Sequence, residues 1–465
     1  MNSKPLIGML VDKLTPLTNY EAAESLGVNL LLFNPNGINW KRKEIEGLLF
    51  EKGMWKKQIC PFPAVVYNRR YSSNYDITSI LELAIGKGKV FNSITRFNKG
   101  EVFRVLKNSS ISNYLPETFL YQKENVIDLL HLYRNLILKP AMGHHGRGVY
   151  FIELTVDFKY RLFSAMYKNL SIEREHTDKG STTAPHKYVH LLNQSERVVT
   201  PAKINTSNKD TFIHQVNQLI GEKEYLIQQF IPLDLFEQKI YDIRMYVQKN
   251  KEGKWTISNG FCRVGQSYSF ISNICTELKS YQDILEGDTK LTVKTLNEIR
   301  MVSLLTAQSL ERELGHLGEI SVDFGLDKEG KPWIIEVNGK TQKKFVKQLN
   351  NHKLTSEIYL KPIEYAKYLA LKETDFRKAF YVKQIELPPS SLRDSSSGNQ
   401  DLVPINKADI ADLIKIHRIG EKRARQIIEI RRKKPFTSYK DLQKIKGIGS
   451  SFVNEIQKQG IISFD

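Results

Sequence analysis

Three side chains with hard oxygen ligands lie close enough in the sequence to meet in space. Asp323 stands in ISVDFG (320–325), and Glu336 and Asn338 stand in WIIEVNG (333–339), with the turn DKEGK (327–331) between them. Two strands joined by that turn form a hairpin. Residues two apart on a strand share a face, so Glu336 and Asn338 project together and Asp323 can face them across the pair. Such a set suits Mg²⁺, which keeps several waters and bridges to substrate phosphates. The plainer alternative is three solvated polar residues on a hairpin. Their flanking Val, Ile, Trp and Phe residues argue for burial, which acidic groups tolerate only with a cation or partner.

Upstream, KPAMGHHGRGVY (139–150) reads as a strand end, a glycine-rich loop and the start of a second strand. Gly143, Gly146 and Gly148 let backbone N–H groups approach phosphate oxygens, and Lys139 adds a point charge. No Gly-Lys-Ser/Thr opens a helix here, so this is not a Walker loop. YLIQQFIP (225–232) looks like a strand leading into a crossover whose backbone can meet an adenine edge. Then come Arg244 in YDIRMYV (241–247) and Arg263 in FCRVG (261–265). Two arginines on neighbouring strands suit transferring phosphoryl oxygens, although each taken singly reads as well as a surface ion-pair residue.

The order basic strand end, glycine loop, crossover strand, D-x-R strand, second arginine and D…E-x-N resembles the ATP-grasp superfamily over roughly 91–345. Ribosomal-protein glutamate ligases, D-alanine ligases and glutathione synthetases share a similar order. The phrases FNK (97–99), YLPET (114–118), DIR (242–244) and EVNG (336–339) are more similar to the YheC/YheD-type, spore-coat-associated branch. The resemblance implies that Lys99 and Lys139 contact ATP phosphates, and that 143–148, including Arg147, form a lid. It further implies that Gln228, Gln229, Phe230 and Ile231 line the adenine pocket, and that Asp323, Glu336 and Asn338 hold Mg²⁺. Arg263 would face the γ-phosphate or acyl-phosphate, and Arg244 the phosphate or substrate. The implied activity is ATP- and Mg²⁺-dependent carboxylate–amine ligation through an acyl-phosphate. The alternative is an ATP-binding structural protein with weak or no turnover. One departure bears on substrate binding: ISNICTELK (271–279) keeps an asparagine but lacks the glycine pair of many relatives. His144 and His145 read as exposed loop histidines, with metal binding or catalysis the lesser option.

The elements that must position these groups follow a coarse pattern. Residues 1–90 mix short apolar runs with Pro/Asn/Gly punctuation, as in a small α/β layer. Residues 91–375 carry the ATP site in two lobes, with a Thr/Lys/His/Ser/Asn-rich stretch at 173–210 read as a mobile insertion. A Pro/Ser-rich linker covers 376–400. The expected fold is therefore an α/β (α+β) ATP-grasp with an N-terminal pre-ATP-grasp α/β layer, plus a small all-α helix-hairpin-helix domain at 401–465.

That last unit opens with INKAD (405–409) and holds two related hairpins whose glycines, Gly420 and Gly449, are 29 residues apart. It resembles the tandem helix-hairpin-helix domain of competence-type DNA receptors. In such hairpins backbone N–H groups at a helix start bind phosphate. The resemblance points to Arg418, Gly420 and Lys422 in the first hairpin and Lys446, Gly447, Ile448 and Gly449 in the second as the nucleic-acid contacts. With 14 Lys/Arg against 8 Asp/Glu over 401–465, binding of DNA or RNA through phosphates would be salt-sensitive. Docking on a protein is the competing use. Leu413, Ile416, Ile427, Ile430, Leu442 and Ile445 read as core.

Composition bounds the remainder. The net charge of +18 (69 basic, 51 acidic residues among 465) asks for an anionic partner. Three scattered cysteines, Cys60, Cys262 and Cys275, fit no metal pattern and read as reduced thiols. No apolar run reaches the ~20 residues of a membrane helix, and the N-terminus lacks a signal-peptide pattern, so a cytoplasmic protein is expected. Spore association is implied only by the resemblance. The acid and amine, whether peptide or RNA-linked, and the oligomeric state stay open.

Overall fold

The computed structural model describes residues 4–73, 75–143, 146–164, 202–265, 270 and 275–372 of a first unit. In a second unit it describes 403–413, 416, 419, 421–445, 448–449, 453, 456–457 and 462–464. The units divide as Met1–Lys383 and Gln384–Asp465. The expected linker at 376–400, His144–His145 and residues 271–274 lie outside the described residues.

Among the described residues the first unit carries three sheets. In the N-terminal sheet Leu6–Leu10 pairs in parallel with Asn29–Phe33 and Val65–Asn68, and Val65–Asn68 pairs in parallel with Val90–Phe91. An antiparallel hairpin, Glu44–Glu51 with Met54–Pro61, extends one edge. The runs LIGML and NLLLF are buried along nearly their whole length, as parallel strands covered on both faces must be.

The second sheet is antiparallel, in the order Ile204–Thr206, Tyr160–Ser164, Tyr150–Leu154, Asn135–Pro140, Tyr225–Gln229, Thr118–Leu120. Helices Val126–Tyr133 and Lys209–Ile220 cover one face through Val126, Leu130, Phe212 and Val216. The insertion expected at 173–210 is corrected at its end. Residues 204–206 form the edge strand, and Asn208 caps the helix that follows, accepting from the Thr211 N–H at 2.9 Å. Hydrophilic composition was a poor guide there because an edge strand and a cap are both built from polar residues. Residues 173–201 lie outside the described residues.

The third sheet positions the chemistry. Its antiparallel order is Cys275–Lys279, Trp255–Gly265, Lys239–Lys249, Glu319–Leu326, Pro332–Asn338. The alternation of KIYDIRMYVQK sends Ile243, Met245 and Val247 into the core beneath helix Val293–Leu314. Asp242, Arg244, Tyr246 and Gln248 take the other face. EISVDFGL repeats the device, with Ile320, Val322 and Phe324 in the same core and Glu319, Ser321 and Asp323 opposite. Helix Val293–Leu314 starts at Thr292, whose side chain accepts from the Thr295 N–H. No helix among the described residues is long and apolar enough to cross a membrane.

The second unit has its own core, built from Leu413, Ile416, Ile427, Leu442, Ile445 and others, with Ile430 packed against it. Asn406 clamps it: its Nδ2 donates to the Phe436 and Phe464 carbonyls, and its Oδ1 accepts from the Phe436 N–H. Arg431, the first residue of the basic run, donates to the Ile405 and Ala408 carbonyls and so holds the unit together. The unit is not wholly helical, since Val403–Pro404 pairs in parallel with Ile462–Ser463.

Candidate active site

Strand register assembles five charges on one face of the third sheet. Asp242 lies opposite Arg263, Arg244 opposite Asp323, and Asp323 opposite Glu336. Arg244 forks onto Asp323, Nε to Oδ1 and Nη2 to Oδ2, both at 2.7 Å. Arg263 donates from Nε to Asp242 Oδ1 at 2.8 Å and from Nη2 to Asp323 Oδ2 at 2.9 Å. Asp242, Arg244 and Asp323 are at most 2% exposed and Arg263 is 6% exposed, which rules out surface ion pairs. Two arginines and two aspartates balance, as burial of charge requires. Burial alone would raise the Asp323 carboxyl, but Arg244 and Arg263 hold it below the usual range. Burial likewise opposes the charge on Arg263, and Asp242 and Asp323 overcome it. Nη1 of Arg244 is buried and has no hydrogen-bond partner among the described residues.

A second cluster comes from the second sheet and the helix Lys99–Lys107. Asn98 caps that helix by accepting from the Gly100 and Glu101 N–H groups. Lys99 reaches the Gly143 carbonyl at 3.0 Å and Glu336 Oε1 at 3.1 Å. Lys139 projects from Asn135–Pro140, whose Leu136 and Leu138 enter the core, and donates to Gln228 Oε1 at 2.8 Å. Gln228 is fixed in turn by donating to Thr118 Oγ1. Burial, then repulsion from Lys99, lowers the Lys139 amine to about 8. In the loop, Gly146 and Gly148 have φ of +68° and +73°, and a Cβ on Gly148 would stand 2.6 Å from Tyr225 Oη.

These groups surround one pocket of about 920 Å³. Ile137, Phe230, Ile231, Leu233 and Ile335 give it an apolar side, and Lys99, Lys139, Arg147 and Arg263 a basic one. Asp323, Glu336, Gly143, Gly146, Gln228 and Gln229 also line it. Phe230 is braced edge-on by Phe151 at 4.9 Å. The Gln229 and Phe230 N–H groups already donate to the Glu117 and Asn135 carbonyls, at 2.8 and 3.2 Å. An apolar slot ending in convergent cations fits a nucleotide.

Among the described residues no three His, Cys, Asp or Glu side chains cluster as a metal cage. Asp323 Oδ2 already accepts from Arg244, Arg263 and, at 3.4 Å, Asn338. Among the described residues Glu336 is paired with Lys99, and its side chain is 19% exposed. One accessible carboxylate beside an amide fits a Mg²⁺ shared with phosphates, as this ion is usually held, and does not fit a metal held by protein alone. In this structure Asp323 accepts from both arginines. Sequence reasoning missed Asp242 as the partner that aims Arg263; the D-x-R spacing was the available signal, because it puts both residues on one strand face.

In the second unit Arg418, Gly420, Lys446 and Gly447 lie outside the described residues, as does the side chain of Lys422 on helix Glu421–Lys433. The Ile448 side chain is 5% exposed within the unit's core, and its N–H donates to the Ile445 carbonyl at 3.1 Å. Gly449 accepts from the Val453 N–H, and a Cβ there would meet nothing within 4 Å among the described residues.

Comparison with known proteins agrees with this architecture. Residues 87–369 match the family model of YheC/D-like ATP-grasp proteins, and residues 398–459 match that of the helix-hairpin-helix motif. The endospore coat-associated protein YheD of Bacillus subtilis (strain 168) is 27% identical over 361 residues, covering 75% of this chain and 72% of that protein. The endospore coat-associated protein YheC of the same organism is 23% identical over 370 residues, covering 75% and 90%. Among solved structures, a RimK domain protein ATP-grasp from Sphaerobacter thermophilus DSM 20745 aligns with a TM-score of 0.40 at 13% identity, covering 76% of this chain and 97% of that one. That likeness is too distant to transfer residue roles.

Proposed function

Since the chain belongs to the YheC/D-like ATP-grasp family, we propose that it is an ATP-dependent carboxylate–amine ligase with a nucleic-acid-binding C-terminal unit. The observation that carries the ligase reading is the pocket itself. An apolar slot leads to Lys99, Lys139 and Arg263 beside Glu336, and the lowered Lys139 amine is what a cation awaiting a phosphate would show.

In this reading Ile137, Phe230 and Ile231 hold the base, while Lys99, Lys139 and the 143–148 backbone hold the phosphates. Glu336 and Asn338 would bind Mg²⁺, with Asp323 behind them, and the ion would neutralise phosphate charge. A substrate carboxylate oxygen attacks the γ-phosphorus; its bond to the β–γ bridging oxygen breaks and ADP leaves. An amine then attacks the acyl carbon, the carbon–oxygen bond to phosphate breaks, and the amine proton passes to water. Arg263, aimed by Asp242, stabilises the charge that develops on the transferring oxygens, and Arg244 acts from behind by fixing Asp323. Substrate-dependent ADP release, with hydroxylamine as a general amine trap, tests the reading. Hydroxamate formation with at least one carboxylate supports it.

A second reading, nucleotide binding without turnover, is favoured by one observation. Arg263 already spends its fork on Asp242 and Asp323, so it must loosen one contact to reach a phosphate. Tight Mg-ATP binding with no ADP release for any acid would select it.

For the second unit, phosphate contact through the hairpin backbones is supported by the open space around Gly449, where nothing among the described residues excludes a side chain. The two relatives are named as endospore coat-associated proteins; a place at the spore coat is proposed here for this chain as well. Retention of DNA or RNA by 401–465, lost in raised salt, tests the nucleic-acid half.

A further inference from the structure

A second recess, about 1320 Å³ and open to solvent, adjoins the nucleotide pocket within the first unit. Lys99, Gly143 and Glu336 line both, so the two meet where a transferring phosphate would stand. The recess is walled by the ends of the N-terminal sheet, by residues 95–97 and by the segment 337–344 that follows strand Pro332–Asn338.

Its charge is one-sided. Among the described residues Arg69, Arg96, Lys99, Lys340, Lys343 and Lys344 line it against one carboxylate, Glu336. Three of these cations are balanced: Lys99 by Glu336, Lys340 by Asp12 at 3.3 Å, and Lys343 by Glu319 at 2.8 Å. Arg69, Arg96 and Lys344 have no carboxylate within 4.0 Å among the described residues. Arg69 donates to Tyr20 Oη at 2.7 Å and lies 5.7 Å from the Tyr67 ring centroid. Arg96 lies 5.4 Å from the Tyr71 ring centroid, with Nε buried and unpartnered. Phenol rings orient a guanidinium without neutralising it. Glu319 offsets part of the Arg69 charge through space, so Arg96 is the oriented guanidinium in this concave wall without a carboxylate partner among the described residues, and its fork matches a planar anion.

Building on the ligase reading above, we infer that this recess binds the acid substrate, and that this substrate carries at least two carboxylates. One carboxylate meets the γ-phosphate at Lys99 and Glu336; a second is held by Arg96 and Arg69, with Lys344 at the rim. A single carboxylate, consumed at the phosphate, would leave Arg96 and Lys344 without an anion among the described residues. The activating step is the one already balanced, with the acid supplying the attacking oxygen. Arg96 is a positioning residue for the acid and takes no part in the transfer.

The test is calorimetry on the full chain with Mg²⁺ and the non-hydrolysable analogue AMP-PNP, titrating glutarate, γ-glutamylglutamate, butyrate and 3-phosphonopropionate. At least one of the two polycarboxylates should bind ten times more tightly than butyrate or better. Arg96→Gln should reduce that preference by roughly tenfold, the order expected for one charge-assisted contact. Arg96→Lys should restore part of it, and AMP-PNP affinity should not change in either variant. Lys344→Gln, at an exposed position where folding is not at issue, should lower polycarboxylate affinity several-fold. If AMP-PNP binds and butyrate matches both polycarboxylates, the inference is wrong while the nucleotide reading stands. Preference for the phosphonate overturns it in favour of a phosphorylated acid. If AMP-PNP does not bind, the ligase reading fails, and the same titrations without nucleotide still judge the recess.

Discussion

The buried quartet of Asp242, Arg244, Arg263 and Asp323 and the neighbouring Lys99–Glu336 pair are both made of opposite charges on or beside the third sheet, yet they are built differently. In the quartet the Arg244–Asp323 pair is forked, at 2.7 Å, with side chains 3% and 1% exposed. The Lys99–Glu336 pair is a single 3.1 Å contact between side chains 18% and 19% exposed, one on a helix and one on a strand. A forked, desolvated pair fixes geometry, and breaking it strands a charge. A single contact near solvent exchanges its partner at small cost. The first arrangement aims groups that must not move; the second keeps a lysine and a carboxylate apart from other ligands until phosphate and metal arrive.

The largest expected effect breaks the quartet. Asp323→Ala should destabilise the first unit by about 3–5 kcal/mol, because two buried guanidiniums lose their shared acceptor. Urea unfolding measures it, and a loss below ~1 kcal/mol would show that the quartet is not a desolvated anchor. On the other side of the comparison, Glu336→Gln should cost less than ~1 kcal/mol of stability. The same substitution should weaken Mg-dependent ATP binding by roughly tenfold or more, about 1.4 kcal/mol. Equal losses in stability and in binding would erase the distinction between anchor and exchangeable pair.

Proton linkage sharpens the comparison further. Lys139 must be protonated to meet phosphate, and its amine sits near 8 in the unliganded protein, below the 10.5 of an ordinary lysine. Bound phosphate raises it again, so ATP affinity is flat below pH 7 and falls as pH rises through about 8, approaching tenfold per unit above that. Isothermal titration between pH 6.5 and 9.5 reads this, and Lys139→Met should abolish the dependence along with much of the affinity. The smallest effect lies in the second unit. Gly449→Ala should leave its unfolding midpoint within ~0.5 kcal/mol while weakening nucleic-acid retention a few-fold, since the added methyl meets nothing among the described residues. A large loss of stability would reassign Gly449 to the fold.

Much of the site was legible because period-two alternation survives in the text of a strand. D-x-R at 242–244 and E-x-N at 336–338 announce shared faces before any fold is known. The register between strands was not legible. That Arg244 faces Asp323, 79 residues away, is set by the pairing of Lys239–Lys249 with Glu319–Leu326. For that reason the contacts of Asp323 with both arginines could not be read from the motif. The second recess was invisible for the same cause: Arg69 and Arg96 come from the N-terminal layer and its exit, with no motif tying them to Glu336. In the C-terminal unit the sequence offers Ile448 as part of a phosphate-binding hairpin, and the structure adds that its side chain anchors the unit's core.

The strand Lys239–Lys249 has one further consequence. Asp242 and Arg244 stand two residues apart on a strand buried on both faces, so their pitch along it is about 6.8 Å by backbone geometry alone. It acts as a fixed ruler: the loops and recesses on either side can be rewritten for a new acid or a new amine while the spacing between the charged groups stays the same.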